Sequence, residues 1–310
     1  MDVEHKGHIN QVVSYQGSLL PTLAMLVAMV LWGSSFVAMK YAFFELDPLL
    51  VVLGRLVVAS LCFLPFIRHF VKAPIRKKHL LPMLGMGLCE PCLYFLFEAA
   101  ALQQTSASQA SMITTMLPLL VAIAAGAILG EHISRKTVIG FILAAAGALW
   151  LTLAGERTQQ APNPVLGNFL EFLAMVCATG YIIQMKYLSR DLSPFFLTAV
   201  QCVLGALFFL PVLLLPQVHV PQAISLSGVS IILYLGVFVS VGAYGLYNFG
   251  ISRIPANQAS VFINLIPVFT VILGFVILGE HFTFWQFWAC VLVFCGVILS
   301  QDRKNQEEVA

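Results

Sequence analysis

The chain has 310 residues, of which 60% are hydrophobic and 10% are charged, whereas an ordinary soluble domain carries about 25% charged residues. Its formal net charge is +2, and its basic residues are spread over short loops rather than gathered into a patch. This composition excludes a water-soluble globule and gives no basis for nucleic-acid binding.

Ten apolar segments follow one another along the chain, each close to the 20 or so residues that a helix needs to cross a bilayer. We predict spans at 19–40, 48–69, 80–102, 107–129 and 135–154, and then at 165–188, 193–215, 226–250, 257–279 and 284–301. Residues 1–18 and 302–310 are predicted tails. The first span lacks a small-residue cleavage site, so we expect it to stay in the mature protein.

The fourth and ninth spans, with the turns that follow them, are two copies of one pattern. Seven residues recur at a constant displacement of 149. They are Gln109, Ala110, Ser111, Pro118, Gly130, Glu131 and His132, which return as Gln258, Ala259, Ser260, Pro267, Gly279, Glu280 and His281. Nearer the N-terminus the displacement is 146, as for Pro48 and Pro194. Matching apolar composition alone would not hold these residues at one offset, so we predict two repeats, 19–154 and 165–301.

The lysines and arginines of the predicted loops indicate the orientation. With a cytoplasmic N-terminus, thirteen of them lie inside and two, Lys40 and Arg157, lie outside, as the positive-inside rule requires. Because five spans are an odd number, the second repeat must enter the membrane from the opposite side. The predicted fold is therefore an all-α integral membrane protein with ten transmembrane helices in two inverted five-helix repeats. We expect it in the cell membrane with both termini cytoplasmic, and such repeats are a common plan of secondary transporters.

Four charged side chains fall inside predicted spans, where a charge is costly and is a functional hypothesis by default. They are Arg55, Glu90, Glu98 and, closer to the surface, Glu171. At 1.5 Å per residue, Arg55 lies roughly 10 Å, Glu98 roughly 6 Å and Glu90 roughly 18 Å below the outer surface. Glu90, Tyr94 and Glu98 are spaced to share one face of a continuous helix. We expect Arg55 to pair with a glutamate or to bind a solute carboxylate, and a purely structural bridge is the alternative.

Glu90 and Glu98 are also candidates for coupling transport to a proton gradient. Lost hydration disfavours a carboxylate near mid-membrane, where Glu90 is expected. A carboxyl group there can take up a proton on one side and release it on the other. Glu98 is expected nearer the outer opening, where it is better placed to exchange a proton or a solute amine.

The second repeat offers neutral groups where the first offers charges. Gln201 stands at the position equivalent to Arg55, and the span equivalent to the third carries Tyr244, Tyr247 and Asn248. Charge from one half and aromatic surface from the other suit a zwitterionic or amphipathic organic solute. The alternative is that these aromatic side chains only pack.

Pro118 and Pro267 fall in the middle of the fourth and ninth spans. Each removes a backbone hydrogen bond and frees a carbonyl group, which is tolerated where the backbone is buried in protein or lines a cavity. Thr114, Thr115 and Asn264 lie within four residues of these prolines and could bond the freed carbonyls or face a solute. We expect structural kinks at both prolines, and a site-lining role for the neighbouring polar residues stays open.

Short motifs in both halves carry a resemblance to a known family. They are Trp32-Gly33-Ser34, Arg55, Ala101-Leu102, Gln109-Ala110-Ser111, Pro118, Gly130-Glu131, Gly147, Ala256, Ala259, Pro267, Gly279-Glu280 and Gly296. In this order they resemble the EamA-type transporters of the drug/metabolite transporter superfamily. The resemblance implies two inverted repeats around a central cavity formed largely by the first four helices of each half. It also implies transport, mostly export of amino acids, other metabolites or toxic compounds. Glu90 and Glu171 are not motif positions, so their roles rest on burial alone.

We predict a secondary active transporter of small organic metabolites, such as an amino acid or a similar amphipathic solute, that exports by alternating access. Proton coupling is left open, an importer or a facilitative uniporter is the alternative within transport, and a channel or sensor is a further one. An intramembrane enzyme would need a nucleophile with a base or a ligand cluster, and no histidine is expected at mid-membrane. The expected partners are the solute, the bilayer and a candidate coupling proton, with no nucleic acid, no obligatory protein partner, no cofactor and no metal. The candidate cavity residues are Trp32, Arg55, Tyr94, Glu98, Thr115, Tyr244, Asn248 and Asn264.

Overall fold

A computed structural model describes residues 19–129, 135–218, 220–221, 223–254 and 256–300. Every regular element in these ranges is helical, and they contain no strand. The predicted tails, 1–18 and 302–310, and the turn residues Gly130, Glu131 and His132 lie outside the described residues.

Ten helical stretches follow one another in the described ranges. They are α1 (Leu19–Ala42), α2 (Pro48–Phe70), α3 (Lys77–Gln104), α4 (Ala107–Ala124, continuing to Leu129), α5 (Arg135–Leu153), α6 (Pro164–Leu188), α7 (Pro194–Leu214), α8 (Leu226–Ile251), α9 (Ala259–Leu278) and α10 (Phe284–Ser300). Sequence signals mark several starts. Asp47 and Ser193 cap α2 and α7, and a proline, which needs no backbone hydrogen bond there, is the first helical residue of each.

Eight of these stretches are long and apolar enough to cross a membrane, namely all except α5 and α10. The two others contain shorter apolar helices, Val138–Leu153 and Phe284–Leu299. Many large apolar side chains on the helices are exposed, as expected for surfaces that face lipid rather than water. The protein is therefore a multi-pass, all-helical membrane protein.

α5 and α10 pack tightly against each other through small residues that the duplication relates. A Cβ atom added at Gly147 would lie 2.7 Å from the backbone nitrogen of Val293, and one added at Gly296 would lie 2.7 Å from the carbonyl oxygen of Gly140. As the residue number rises along α5 it falls along α10, so the two helices run antiparallel. Small residues that let backbones approach are typical of helix contacts in membranes.

The first helix of each half packs into the other half. α1 contacts α8 and α9, while α6 contacts α3 and α4. Gly33 permits the closest approach, because a Cβ atom there would lie 2.7 Å from the Cβ of Phe269. The hydroxyl of Thr270 also donates a hydrogen bond of 2.9 Å to the Gly33 carbonyl. The two halves thus enclose a common centre.

Three helices are interrupted beside a proline near that centre. A 3-10 turn, Thr114–Met116, precedes Pro118 in α4, and a second one, Phe262–Leu265, precedes Pro267 in α9. These breaks lie where a proline removes the helical hydrogen bond.

The third interruption corrects a prediction. Glu90 has φ −149° and ψ 118°, so α3 is not continuous there, and the peptide bond to Pro91 is cis. Glu90 therefore does not lie on a continuous helical face with Tyr94 and Glu98. The physical reason is Pro91, since a proline disfavours helical backbone at the residue before it.

Candidate functional site

A central cavity with an empty volume of about 500 Å³, its opening included, lies between the two halves. Its wall comes from α1, α2, α3 and α4 of the first half and from α6, α8 and α9 of the second. The polar or charged side chains in this wall are Ser35, Arg55, Glu90, Tyr94, Glu98, Thr114, Tyr181 and Tyr244. This mixture of apolar side chains and a few polar groups is typical of a pocket for a small organic molecule.

Arg55 lines the cavity and is 1% exposed, yet no carboxylate of the described residues forms an ion pair with it. Its Nε donates to the Ser240 hydroxyl at 3.0 Å, and its Nη1 lies 3.2 Å from the Met39 sulfur. The guanidinium carbon is 4.5 Å from the centre of the Phe95 ring. The expected pairing of Arg55 with a glutamate is therefore not formed in this conformation, because neutral groups from α1, α3 and α8 surround the guanidinium.

The two cavity glutamates bond tyrosines instead. The Tyr244 hydroxyl donates to Glu90 Oε1 at 2.5 Å, and the Tyr94 hydroxyl donates to Glu98 Oε1 at 2.9 Å. Glu98 Oε2 is buried and has no hydrogen-bond partner among the described residues. Each tyrosine thus donates to one carboxyl oxygen, and the second oxygen of Glu98 remains available as an acceptor.

Aromatic side chains from both halves form one side of the cavity. The Trp32 ring centre lies 5.1 Å from that of Tyr244 and 4.8 Å from that of Tyr247. Trp32 Nε1 and the Tyr247 hydroxyl are buried without a partner in the described part of the chain. Sequence reasoning missed Tyr181 in the cavity wall, although a lone tyrosine in the middle of an apolar span was a usable signal.

Three of the predicted cavity residues lie outside the lining. Thr115 is fully buried and donates to the Met112 carbonyl at 2.7 Å, whereas its neighbour Thr114 lines the cavity. Asn248 lies behind the wall, where it accepts a hydrogen bond of 2.5 Å from the Tyr181 hydroxyl. Asn264 Oδ1 is buried, and no described residue forms a hydrogen bond with it.

Glu171, the fourth charged side chain inside a predicted span, is enclosed by protein on α6. It is 0% exposed, and neither carboxyl oxygen has a hydrogen-bond partner within the described ranges. Met175 and Ala178, four and seven residues further on, line the cavity from the same helical face. Glu171 itself lies one helical turn beyond these lining residues.

Two charged side chains close the end of the bundle where α3 ends. Lys40 donates to the carbonyl oxygens of Leu102, Thr105 and Gln160, the last two at 2.8 and 2.5 Å. Glu280, from the second half, accepts hydrogen bonds from two backbone amides at the start of α4, at 2.8 and 2.9 Å. Among the described residues, no group of three or more His, Cys, Asp or Glu side chains is placed to hold a metal ion.

Comparison with known proteins gives one family for both halves. Residues 19–153 and 165–301 each match the model of the EamA-like transporter family. An uncharacterised transporter of Bacillus subtilis, YetK, is 28% identical over 291 residues, which are 92% of this chain and 88% of that protein. A probable amino-acid metabolite efflux pump of Salmonella typhimurium is 28% identical over 290 residues, 90% of this chain and 93% of that protein.

A solved crystal structure shares the fold. It superposes with a TM-score of 0.67 at 20% sequence identity and covers 91% of this chain and 96% of its own. At that identity the likeness extends to the arrangement of the helices alone.

Proposed function

The chain belongs to the EamA-like transporter family, within the drug/metabolite transporter superfamily, and from that membership we propose that it is a secondary active transporter of small organic metabolites. The proposed solute is an amino acid or a similar amphipathic molecule, and the proposed direction is export by alternating access. The observation that carries the proposal is Arg55, a buried cation that has no ion pair with a described residue and lies in a cavity between the two halves. Buried charges are normally paired, so an anionic group of a solute is the partner that Arg55 lacks.

The proposed architecture has ten transmembrane helices in two inverted five-helix repeats, with both termini cytoplasmic in the cell membrane. The antiparallel contact of α5 with α10 supports it, since counterpart helices of inverted repeats run in opposite directions. The thirteen-to-two distribution of basic residues supports the orientation. A cavity between such repeats is where alternating access is expected to place a solute.

The proposed solute is zwitterionic or amphipathic. Its carboxylate would bind Arg55, whose Nη2 has no hydrogen bond with a described residue, and the unpartnered Nε1 of Trp32 would be a second donor. Its apolar part would lie against the rings of Tyr244 and Phe95. The name of the Salmonella relative, an amino-acid metabolite efflux pump, agrees with this class.

Glu90 and Glu98 remain the candidates for proton coupling. Both carboxyl groups are at most 5% exposed and line the cavity, and each has a tyrosine hydroxyl on one oxygen. Loss of a carboxyl proton on one side of the membrane and its gain on the other would couple solute movement to the proton gradient.

A stabilisation screen against a metabolite library, followed by counterflow in proteoliposomes, tests the proposal. We expect a carboxylate-bearing solute to stabilise the purified protein and to exchange with saturable kinetics, faster when unlabelled solute is present on the far side. Flux that rises linearly with concentration, without acceleration from the far side, would indicate a channel. The absence of any solute-specific flux would contradict transport.

A further inference from the structure

α3 and α6 pack antiparallel in a register that two close contacts define. A Cβ atom added at Gly180 would lie 2.9 Å from the Cys89 sulfur, and one added at Gly167 would lie 3.0 Å from the Ala101 carbonyl oxygen. Between these contacts the residue number rises by twelve along α3 and falls by thirteen along α6. Residues on the two helices therefore face each other when they lie the same number of residues from one of these contacts, counted forward on α3 and backward on α6.

This register places Glu171 opposite Glu98. Glu171 lies four residues after Gly167 on α6, and Glu98 lies three residues before Ala101 on α3. The two carboxyl groups are close enough to interact electrostatically. Neither helix in this register offers a cation between them.

Three of the four carboxyl oxygens have no partner in the described residues. Tyr94 donates to Glu98 Oε1, whereas Glu98 Oε2 and both oxygens of Glu171 are buried without a hydrogen bond. Glu98 is 3% exposed and lines the cavity, and Glu171 is 0% exposed. Two adjacent buried carboxyl groups that share a single hydrogen-bond donor are strongly unfavourable, so the arrangement calls for a cationic or proton-donating group between them.

We propose that Glu98 and Glu171 together form a subsite for a primary ammonium group of the transported solute. An ammonium group has three N–H donors and no acceptor, which matches three free acceptor oxygens. This inference rests on the proposed transport function and deepens it. Arg55 lines the same cavity and would bind the carboxylate, so the two ends of an amino acid would have opposite charges to bind.

A proton could take the place of the ammonium group, because one hydrogen shared by the two carboxyl groups also supplies a hydrogen-bond donor and removes a negative charge. The titratable or charged side chains near Glu98 and Glu171 come from several helices. They are Tyr94 and Glu90 on α3, Arg55 on α2 and Tyr244 on α8. None of them supplies a hydrogen bond to the three free oxygens.

Binding to the purified full-length protein tests the subsite without requiring transport. Phenethylammonium carries only the ammonium group, 3-phenylpropionate carries only the carboxylate, and tryptophan fluorescence reports binding near Trp32. In Glu171→Gln we expect phenethylammonium to bind at least about tenfold more weakly, because a charged hydrogen-bond acceptor is lost. 3-Phenylpropionate should bind as in wild type. Glu156→Gln, at an exposed loop residue, is the matched control and should change neither affinity.

Infrared spectroscopy of neutral carboxyl groups separates the two sources. If wild type does not bind phenethylammonium but shows a carboxyl titration that Glu171→Gln and Glu98→Gln each alter, the occupant is a proton. If both variants leave the amine affinity and the carboxyl titration unchanged, water satisfies these oxygens and the subsite is wrong. That result would leave counterflow by wild type intact, whereas absent counterflow with retained amine binding would contradict the transport function alone.

Discussion

The two repeats share their helix contacts and differ in the groups that face the cavity. Lys40 binds carbonyl oxygens at the end of α3, and its counterpart Lys186 binds those of Ile251 and Ile254 at the end of α8, both at 2.7 Å. Gly147 and Gly296 likewise meet the partner helix in the same way. These contacts depend on backbone geometry, which both halves must keep in order to pack as one body.

Three pairs of buried positions in or beside the cavity have diverged. Arg55 corresponds to Gln201, Glu98 to Tyr247 and Glu171 to Met25 at the displacements of 146 and 149 residues. All six side chains are buried. Among the described residues that line the cavity, the charged side chains all come from the first half, so we expect a solute with two unlike ends to bind in one orientation.

Making the first half resemble the second at Arg55 should have the largest effect. Arg55→Gln removes a buried guanidinium from the cavity lining, and we expect solute exchange to fall by roughly 10- to 100-fold as charged hydrogen bonds are lost. Arg55→Lys should also impair exchange, because it keeps the charge but loses the planar fork. Counterflow measures both.

The matched control for that experiment is Arg253→Gln, since Arg253 is an exposed arginine that lies over the Phe249 ring. It should exchange solute as wild type does. Near-normal exchange by Arg55→Gln would contradict a solute-binding role for Arg55.

Glu90 distinguishes the two halves, because the third span of the second half has no carboxyl group. We expect Glu90→Gln to lose uphill transport driven by a pH gradient while exchange is retained, whereas Tyr247→Phe should keep both. The same pattern in Glu98→Gln instead would assign coupling to Glu98. Proton coupling would be wrong if both glutamine variants still concentrate solute.

The paired lysines test whether the shared contacts are equivalent. Lys40 is 4% exposed and has three carbonyl partners, while Lys186 is less buried and has two. Lys40→Met should therefore lower the free energy of unfolding by about 3 kcal/mol or more, since buried acceptors are left unpaired. Lys186→Met should have a smaller effect in the same thermal-unfolding assay, and equal effects would contradict the difference.

The paired glycines should respond alike. Gly147→Ala and Gly296→Ala each place a methyl group against backbone atoms of the partner helix, so we expect each to lower stability by about 1–3 kcal/mol. Gly245→Ala is the matched control, because a Cβ atom there meets nothing within 4 Å. A drop in Tm for only one of the two glycines would break the symmetry.

The smallest expected effect concerns an acidic residue after the first helix of each half. Asp191 bonds Lys78 at 2.5 Å and His79 at 2.9 Å, and these hydrogen bonds lower its pKa to about 2. Its counterpart Glu45 bonds serine hydroxyls.

Because the pKa of Asp191 is lowered on folding, its stabilising contribution is present above its ordinary value near 3.8 and is lost as the pH falls towards 2. Asp191→Asn should therefore lower Tm slightly at pH 6 and by less at pH 2, where about half of the Asp191 carboxyl groups are protonated. A Tm difference between wild type and variant that is the same at both pH values would contradict this linkage.

The sequence predicted what depends on local pattern. Hydrophobic length located the helices, and the constant displacement located the duplication, because both are properties of residues near one another along the chain. Pro118 and Pro267 marked interruptions for the same reason. Arg55 and Glu98 could be assigned to the cavity because a charged side chain inside a span almost always faces the interior of the helix bundle or a cavity.

Side-chain partners could not be predicted in that way. Arg55 bonds Ser240, 185 residues away, and that contact depends on how α2 and α8 are rotated. Asn248 lies one turn beyond Tyr244 on α8, yet it bonds the Tyr181 hydroxyl behind the wall and does not line the cavity. Pro91 was a sequence signal for the break at Glu90. The prediction missed the break because it treated the third span as one continuous helix.

The most direct test of the account is whether one solute occupies a single site built by both halves. Ser35→Cys and Ala178→Cys place a thiol in the cavity wall from the first and second half respectively, in a background without the seven native cysteines. We expect phenylalanine, or the solute that the screen identifies, to protect both thiols from a methanethiosulfonate reagent with the same half-maximal concentration. A cysteine at exposed Glu156 should not be protected. Protection of one cavity thiol without the other, or at a clearly different concentration, would contradict a shared site between the two repeats.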